Sequence, residues 1–507
     1  MEKRRIGNIC LSLLLIVAIG VGIFKYSGIN WDSLLGGESK KPLFGAVNSE
    51  TIVDINDMSK AFDIILENGT KELFNGYPMD VSFLHWINNN FGEDAVMDIA
   101  YRVYEGYADK DLWYTYTGNS MHVLWLMYCK DLGYATYHLE NVHWKECANE
   151  DIVTIDFTGD INLADDWHTM LAASQKPNGM YDCILEDISK ELKSADISVI
   201  NNEFVFSDGG ERQEDKAYTF RAKTENSSFL NIFGADLANL ANNHIYDFRT
   251  SGLMDTIVTL KRTGIATMGA GANLMEAKAI QYYVANGKKI AFVAATEIEK
   301  FSNYTKEATE TEAGVLKTLD PTIYKQVIAE AKRNSDYVIA SVHWGVEGTY
   351  TYNAYQYDLA KEFVESGADA VIGGHPHRLQ GIEYIDGIPV CYSLGNFWFS
   401  TGTLYTTIAQ LQIDTEGRLA LRMIPCIQKD LVTSMLSEED AVAFYKFMAD
   451  ISKNVVIDKA GFIYNTANGH NSHLLNGENY QSGKQYGSYA GNFDLEGRAI
   501  DIVGNLK

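Results

Sequence analysis

From Asp151 onward, short apolar and β-branched runs alternate with stretches whose apolar residues recur at helical spacing. Ile152–Phe157, Ile197–Ile200, Asp236–Leu240, Lys289–Ala295, Tyr337–Val342 and Ala368–Ile372 read as strands. Tyr181–Lys193, Phe229–Phe233, Leu253–Arg262 and Tyr355–Glu365 read as helices, the last closed by Gly367. Asp320-Pro321 supplies an N-cap and a first-turn proline for another helix, running to about Arg333. The alternation predicts an α/β domain with a largely parallel or mixed sheet covered by helices. Val390–Leu394, Thr406–Ile413 and Leu419–Ile424 follow without helices between them, so the domain is expected to close with antiparallel strands. A helix over Glu438–Ser452 comes next, and the last 40 residues, rich in Gly and Asn, are expected to be partly irregular.

Upstream the pattern differs. Ala61-Phe62, Ile64-Ile65 and Leu66 recur at helical spacing, as do Val123-Leu124, Leu126-Met127 and Tyr128, which predicts a small, mainly helical unit over 50–147. Its aromatic residues, Trp86, Tyr101, Tyr104, Tyr107, Trp113, Tyr114, Tyr116 and Trp125, fit a core and domain interface, or a polymer-binding groove. Gly28–Ser49 reads as a linker. Before it, Lys3-Arg4-Arg5 precedes Ile6–Phe24, an uncharged run of 19 residues. That length spans a bilayer as a helix, and the basic residues ahead of it place the N-terminus in the cytoplasm. A cleaved signal peptide is the alternative, but no Ala-x-Ala site follows. The expected order is a cytoplasmic tip and anchor (1–27), a linker (28–49), the helical unit (50–147), the α/β domain (148–430) and a C-terminal helix and tail (431–507). The bulk would lie outside a cell membrane crossed once.

Composition narrows the partners. A formal net charge of -25 argues against nucleic acid, which would repel the chain at long range. Six scattered cysteines make no disulfide framework.

The chemistry collects where strands end. Open α/β sheets bind ligands outside the carboxyl ends of their strands, and here those ends carry polar clusters. They are Thr158-Gly159-Asp160, Asn201-Asn202-Glu203, Asn242-Asn243-His244 with Asp247, His343-Trp344-Gly345, and Gly373-Gly374-His375-Pro376-His377. Taken singly, each has a plain explanation as a cap, a turn residue or a hydrogen-bonded histidine. Together, a carboxylate, an amide oxygen and three imidazoles in convergent loops form a ligand set for divalent Mn, Fe or Zn.

In this order the motifs resemble the CapA family, the bacterial capsule (poly-γ-glutamate) synthesis proteins, which are similar to calcineurin-like metallophosphoesterases. Phe220-Arg221-Ala222, Gly269-Ala270-Gly271 with Glu276-Ala277, and Tyr392-Ser393-Leu394-Gly395-Asn396-Phe397 add to the resemblance, which covers about residues 151–415. It implies metallophosphoesterase-like layered β-sheets flanked by helices, and two divalent metal ions. Metal one falls to Asp160 and His377, metal two to Asn243, His343 and His375, and Glu203 takes the bridging position. His244 stands in the place of the general acid. Arg221 becomes a candidate clamp for phosphate or carboxylate, with a surface salt bridge as its alternative. Asn202, Asp247, Glu347 and Asn396 are further candidates for substrate contact.

Two departures from the phosphoesterase pattern stand out. Asp160 is followed by Ile161-Asn162 rather than by x-His, and a glutamate, Glu203, stands where those enzymes carry aspartate. Metal one therefore needs help from Asp165, Asp166 or His168. The resemblance implies an anchored protein of capsule polymer synthesis, release or export, with a metal-dependent hydrolase-like site. The alternatives are a non-catalytic metal-stabilised subunit of a membrane synthase complex, and a phosphodiesterase acting on a cell-wall phosphate polymer.

Overall fold

The computed structural model describes residues 58–482, apart from 70, 75–80, 110, 118–120, 132–140, 301–303 and 477–478. The predicted anchor and linker lie outside the described residues. Among the described residues no helix is long and apolar enough to cross a membrane.

Contacts divide the chain into two compact units, 1–140 and 141–507. Val142–Lys145 is a strand that pairs in parallel with Gln281–Ala285 of the second unit. The first unit is helical, with Met58–Asn68, Val81–Phe91, Glu93–Tyr104 and Met121–Asp131 as its longer helices. Ala61, Phe62, Ile64 and Ile65 bury one face of the first helix, as their spacing predicts. Trp113 is fully buried and donates its indole N–H to the Leu73 carbonyl at 2.5 Å, while Phe83 packs against Trp113 and Tyr128. Of the aromatic residues singled out in this unit, Trp113 is core, Trp86, Tyr101, Tyr116 and Trp125 are half-buried, and Tyr104 and Tyr107 are exposed.

The second unit is built on two facing sheets. In one, Lys288–Thr296, Tyr337–His343, Ala370–Gly374 and Ile388–Cys391 run parallel, with antiparallel strands outside them. In the other, Ile152–Ile161, Ile197–Asn202, Leu237–Asn239 and Ala266–Met268 run parallel. Leu404–Asp414 and Leu419–Lys429 extend that sheet antiparallel, as the helix-free run of strands predicts. Residues from both sheets meet in a shared core, among them Ile155, Phe157, Val199, Phe292, Ile339 and Ile372. On the outer face of the first sheet, Tyr324, Ile328 and Phe363 pack against Ala340, Val342 and Val371. On the outer face of the second, Ile188, Leu192 and Leu253 pack against Ile200 and Ala238. The unit is therefore a mixed α/β structure with two sheets between helical layers, in which the core strands are apolar on both faces.

The chain returns to the second sheet after the helix Glu438–Ile451. Val455–Ile457, Phe462–Asn465 and Tyr480–Gln481 are strands that extend the second sheet.

Candidate metal centre

The parallel strands are mainly apolar while both their faces are covered, and turn polar where they leave the core. Because six of them run in the same sense in the two facing sheets, their carboxyl ends share one edge. Asp160, Asn201 and Asn239 stand at or one residue before the ends of the strands of one sheet, and Thr296, His343 and Gly374 end those of the other.

Two groups of side chains converge there. Glu203, His343 and His375 each bring a ligand-type atom within 4.8 Å of the others, and so do Asp160, Glu203 and His377. Glu203 belongs to both. Asn243 joins the first group, since its Oδ1 lies 2.8 Å from His343 Nε2, which is itself 3.3 Å from Glu203 Oε1. His377 Nδ1 sits 3.0 Å from Asp160 Oδ2. The residues expected to hold the two metals are thus all brought together, in the two groups into which the motifs divide them.

The loop carrying His375 and His377 is built for close approach. A Cβ on Gly373 would meet the Tyr392 carbonyl oxygen at 2.1 Å, and one on Gly374 would meet Asp160 Oδ1 at 3.1 Å. Beyond the glycines, His375 and His377 themselves adopt left-handed backbone conformations, with φ of 96° and 55°. Such conformations cost roughly 1–3 kcal/mol each in a non-glycine residue and persist where the surroundings impose them.

The polar atoms are buried and largely unsatisfied. Asp160 Oδ2, both carboxyl oxygens of Glu203 and the Nδ1 atoms of His343, His375 and His377 lack an aligned hydrogen-bond partner. Burial pushes the Glu203 carboxyl well above its usual range, and the neighbouring Asp160 adds to the push. Burial would also raise Asp160, but His377 outweighs it and holds that carboxyl below its usual value. At His377 burial opposes the charge while Glu203 and Asp160 favour it, and the net result is a pKa raised to about 9. Burial lowers His343 to about 3 and takes His375 well below its usual value, leaving both imidazoles in the neutral form that ligates metals. Two buried carboxylates crowded together beside the neutral imidazoles of His343 and His375, with unpartnered oxygens, fit divalent cation binding. The donors are carboxylate, amide and imidazole, which suits Mn, Fe or Zn.

The remaining candidates divide. His244 is buried, with Nδ1 2.8 Å from Asp247 Oδ2, so Nδ1 carries the proton and Nε2 the lone pair. Burial lowers its pKa to about 4, so in the metal-free chain the ring is neutral and poised to accept a proton, whereas a general acid must donate one. Arg221 is half-buried, donates to the Gly209 carbonyl and lies over the Phe248 ring. Glu347 is exposed beside the centre, where its charge acts on Glu203, His343 and His377.

The three other expected substrate contacts are buried. Asp247 is fully buried, and its carboxylate is taken up by His244, Lys216 and the Phe220 backbone N–H. Asn202 is fully buried and donates to the Phe204 carbonyl. Asn396 is buried beside Asp160 on a neighbouring strand, with its Oδ1 unpartnered. Asn162, where the histidine is missing, and the three residues expected to make it good have other partners or are exposed. Asn162 turns its Oδ1 to the Ala164 N–H, Asp165 accepts from the Lys223 N–H and Asn226, Asp166 is exposed, and His168 is exposed beside Trp167.

Two residues that meet the centre were given no role by the sequence, although Asn201 belongs to one of the strand-end clusters. Asn201 donates to Asp160 Oδ1 at 2.7 Å, and Lys216 reaches the Asn243 carbonyl. The first had a signal, since strand alternation puts Asn201 rather than Asn202 on the face of Glu203.

Comparison with known proteins agrees with the motifs. The family described as "Bacterial capsule synthesis protein PGA_cap" matches residues 154–401. The PGA biosynthesis protein CapA of Bacillus subtilis (strain 168) is 32% identical over 282 residues, covering 55% of this chain and 72% of that protein. The capsule biosynthesis protein CapA of Bacillus anthracis is 32% identical over 291 residues, covering 55% of this chain and 70% of that protein. Among solved structures, the 5'-nucleotidase from Candida albicans SC5314 overlaps 56% of this chain and 54% of its own at 10% identity, with a TM-score of 0.32, too low to support a shared architecture. With relatives 32% identical and matched over more than two thirds of their length, the chain belongs to the bacterial capsule synthesis protein family PGA_cap.

Proposed function

We propose that this chain serves the synthesis, release or export of a capsule polymer such as poly-γ-glutamate, as a membrane-anchored, extracytoplasmic protein with a two-metal hydrolase-like centre. The observation that carries the reading is the place of Glu203, a fully buried carboxylate shared by the Asp160–His377 group and the Asn243–His343–His375 group. The resemblance of the motifs supports a layered, metallophosphoesterase-like arrangement. When bound, two divalent cations would lower the pKa of water and neutralise charge that develops on a substrate oxygen. Asp160 and His377 would hold one, Asn243, His343 and His375 the other, and Glu203 both. His244, held by Asp247, is the group placed to exchange a proton with a reacting oxygen. Arg221 and Glu347 would meet the substrate at the rim. The basic Lys3-Arg4-Arg5 before Ile6–Phe24 supports the anchored, external placement.

A second reading is a metal-stabilised, non-catalytic subunit of a polymer synthase complex. Asn162 favours it, since it stands in place of a ligand histidine and turns its amide oxygen to Ala164. Incubating the purified full-length chain and Mn²⁺ with poly-γ-glutamate, a teichoic acid and a chromogenic phosphodiester separates the readings. Cleavage of one substrate, lost in His244→Ala, supports the hydrolase. Metal binding without turnover on any of them leaves the subunit. For placement, intact cells treated with protease should lose the 150–415 region; its protection would contradict an external location.

A further inference from the structure

We infer that Lys216 is a positioning residue whose single buried ammonium group fixes both the metal-ligand candidate Asn243 and the partner of His244. The inference rests on the metal reading above. Lys216 is only 7% exposed. Its Nζ donates to the main-chain carbonyl of Asn243 and, at 2.7 Å, to Asp247 Oδ1, with Glu299 Oε1 a further 3.4 Å contact. The other Asp247 oxygen accepts from His244 Nδ1 at 2.8 Å and from the Phe220 N–H at 2.7 Å. Thr305 Oγ1 donates to the same Asn243 carbonyl at 3.0 Å, while the Asn243 amide oxygen points to His343 Nε2 at 2.8 Å. One cation therefore holds the backbone of a ligand on one side and the carboxylate that orients the imidazole on the other.

Packing alone does not call for a lysine here. A buried ammonium costs several kcal/mol in lost hydration unless its donors are all engaged, and an apolar chain of the same length would fill the space without that penalty. The segment that delivers it is tied down as well. The Gln213 N–H donates to the Asp247 carbonyl at 2.9 Å, the Gln213 side chain to the Tyr304 carbonyl, and the Tyr304 hydroxyl to the Asp215 carbonyl. Such an anchored cation sets where the Asn243 oxygen stands. Removing outer partners of this kind typically weakens metal affinity about 10–100-fold.

The test is titration of the metal-free full-length chain with Mn²⁺ by calorimetry, for the wild type, Lys216→Met, Lys216→Arg and the double variant Lys216→Met/Asp247→Asn. The double variant removes the charge pair together, so that no buried carboxylate is left without its cation. The wild type should bind two equivalents. In Lys216→Met and in the double variant one equivalent should bind as in the wild type while the other weakens about 10–100-fold, and Lys216→Arg should recover part of the loss. Wild-type affinity for both equivalents in the double variant would overturn this inference alone. A wild-type chain that binds no Mn²⁺ would overturn the metal reading and this inference with it.

Discussion

His377 Nδ1 lies 3.0 Å from Asp160 Oδ2, yet neither atom has an aligned hydrogen-bond partner. Both point into a space they share with Glu203, as donors do around a common ion. The same loop holds His375 and His377 at positive φ, so backbone strain coincides with the two imidazoles that the centre needs.

The glycines before those histidines should prove unequal. A Cβ on Gly373 would overlap the Tyr392 carbonyl, which is backbone and cannot step aside, whereas one on Gly374 would press on Asp160 and His343 side-chain atoms. Gly373→Ala is expected to destabilise the chain by about 3 kcal/mol or more, and Gly374→Ala by about 1 kcal/mol with a clear loss of metal affinity. Denaturant unfolding of both variants checks the order. Equal stability would show that the loop can relax.

Much of this arrangement was legible in the sequence because strand ends announce themselves. An apolar β-branched run cannot stay buried past its last covered residue, so Asp160, Asn243, His343 and His375 mark where each strand leaves the core. The added strands were harder to see. Ile382–Ile385 and Phe462–Asn465 are short and carry polar residues, and Phe462–Asn465 pairs with Leu419–Lys429, some 40 residues earlier. Lys216 was invisible for a related reason. It sits in a polar loop, and only the fold brings it to Asn243, 27 residues away.

Metal removal should cost stability. Without cations, the two carboxylates and three imidazoles of the centre are left buried with unmatched atoms. At a free metal concentration 100 times Kd, binding adds about 2.7 kcal/mol to the folded state. Melting the chain with excess Mn²⁺ and then with a chelator should show a Tm several degrees lower in the chelator. Superimposable melts would mean that no ion is held there.

A carboxylate away from the centre sets a pH dependence of its own. Asp156 is fully buried on the strand that leads to Asp160, and accepts from Gln410 at 3.0 Å. Burial, with the nearby Glu191 adding to it, raises its pKa from 3.8 to about 7 despite that hydrogen bond. Between those values the folded chain binds the proton more tightly than the unfolded one, so this residue's contribution falls as pH rises from about 4 to about 7 and is level above. The full effect is on the order of 2–4 kcal/mol. Urea unfolding at pH 5 and pH 8 should show a smaller decline for Asp156→Asn than for the wild type. Parallel declines would rule the residue out as a source.

Catalysis, if the centre hydrolyses its substrate, should depend on His244 without depending on it for metal. His244→Gln is expected to lower kcat about 10²–10⁴-fold while metal content stays at the wild-type level. Loss of metal together with rate would make His244 a support of the centre instead of a proton carrier.

The most direct measurement is the metal content of the purified full-length chain by elemental analysis, for the wild type, His375→Ala and Glu203→Ala. The shared position of Glu203 predicts two ions per chain in the wild type, one in His375→Ala, and none held tightly in Glu203→Ala. A wild-type chain without bound divalent metal, or a Glu203→Ala chain that keeps both ions, would contradict the account.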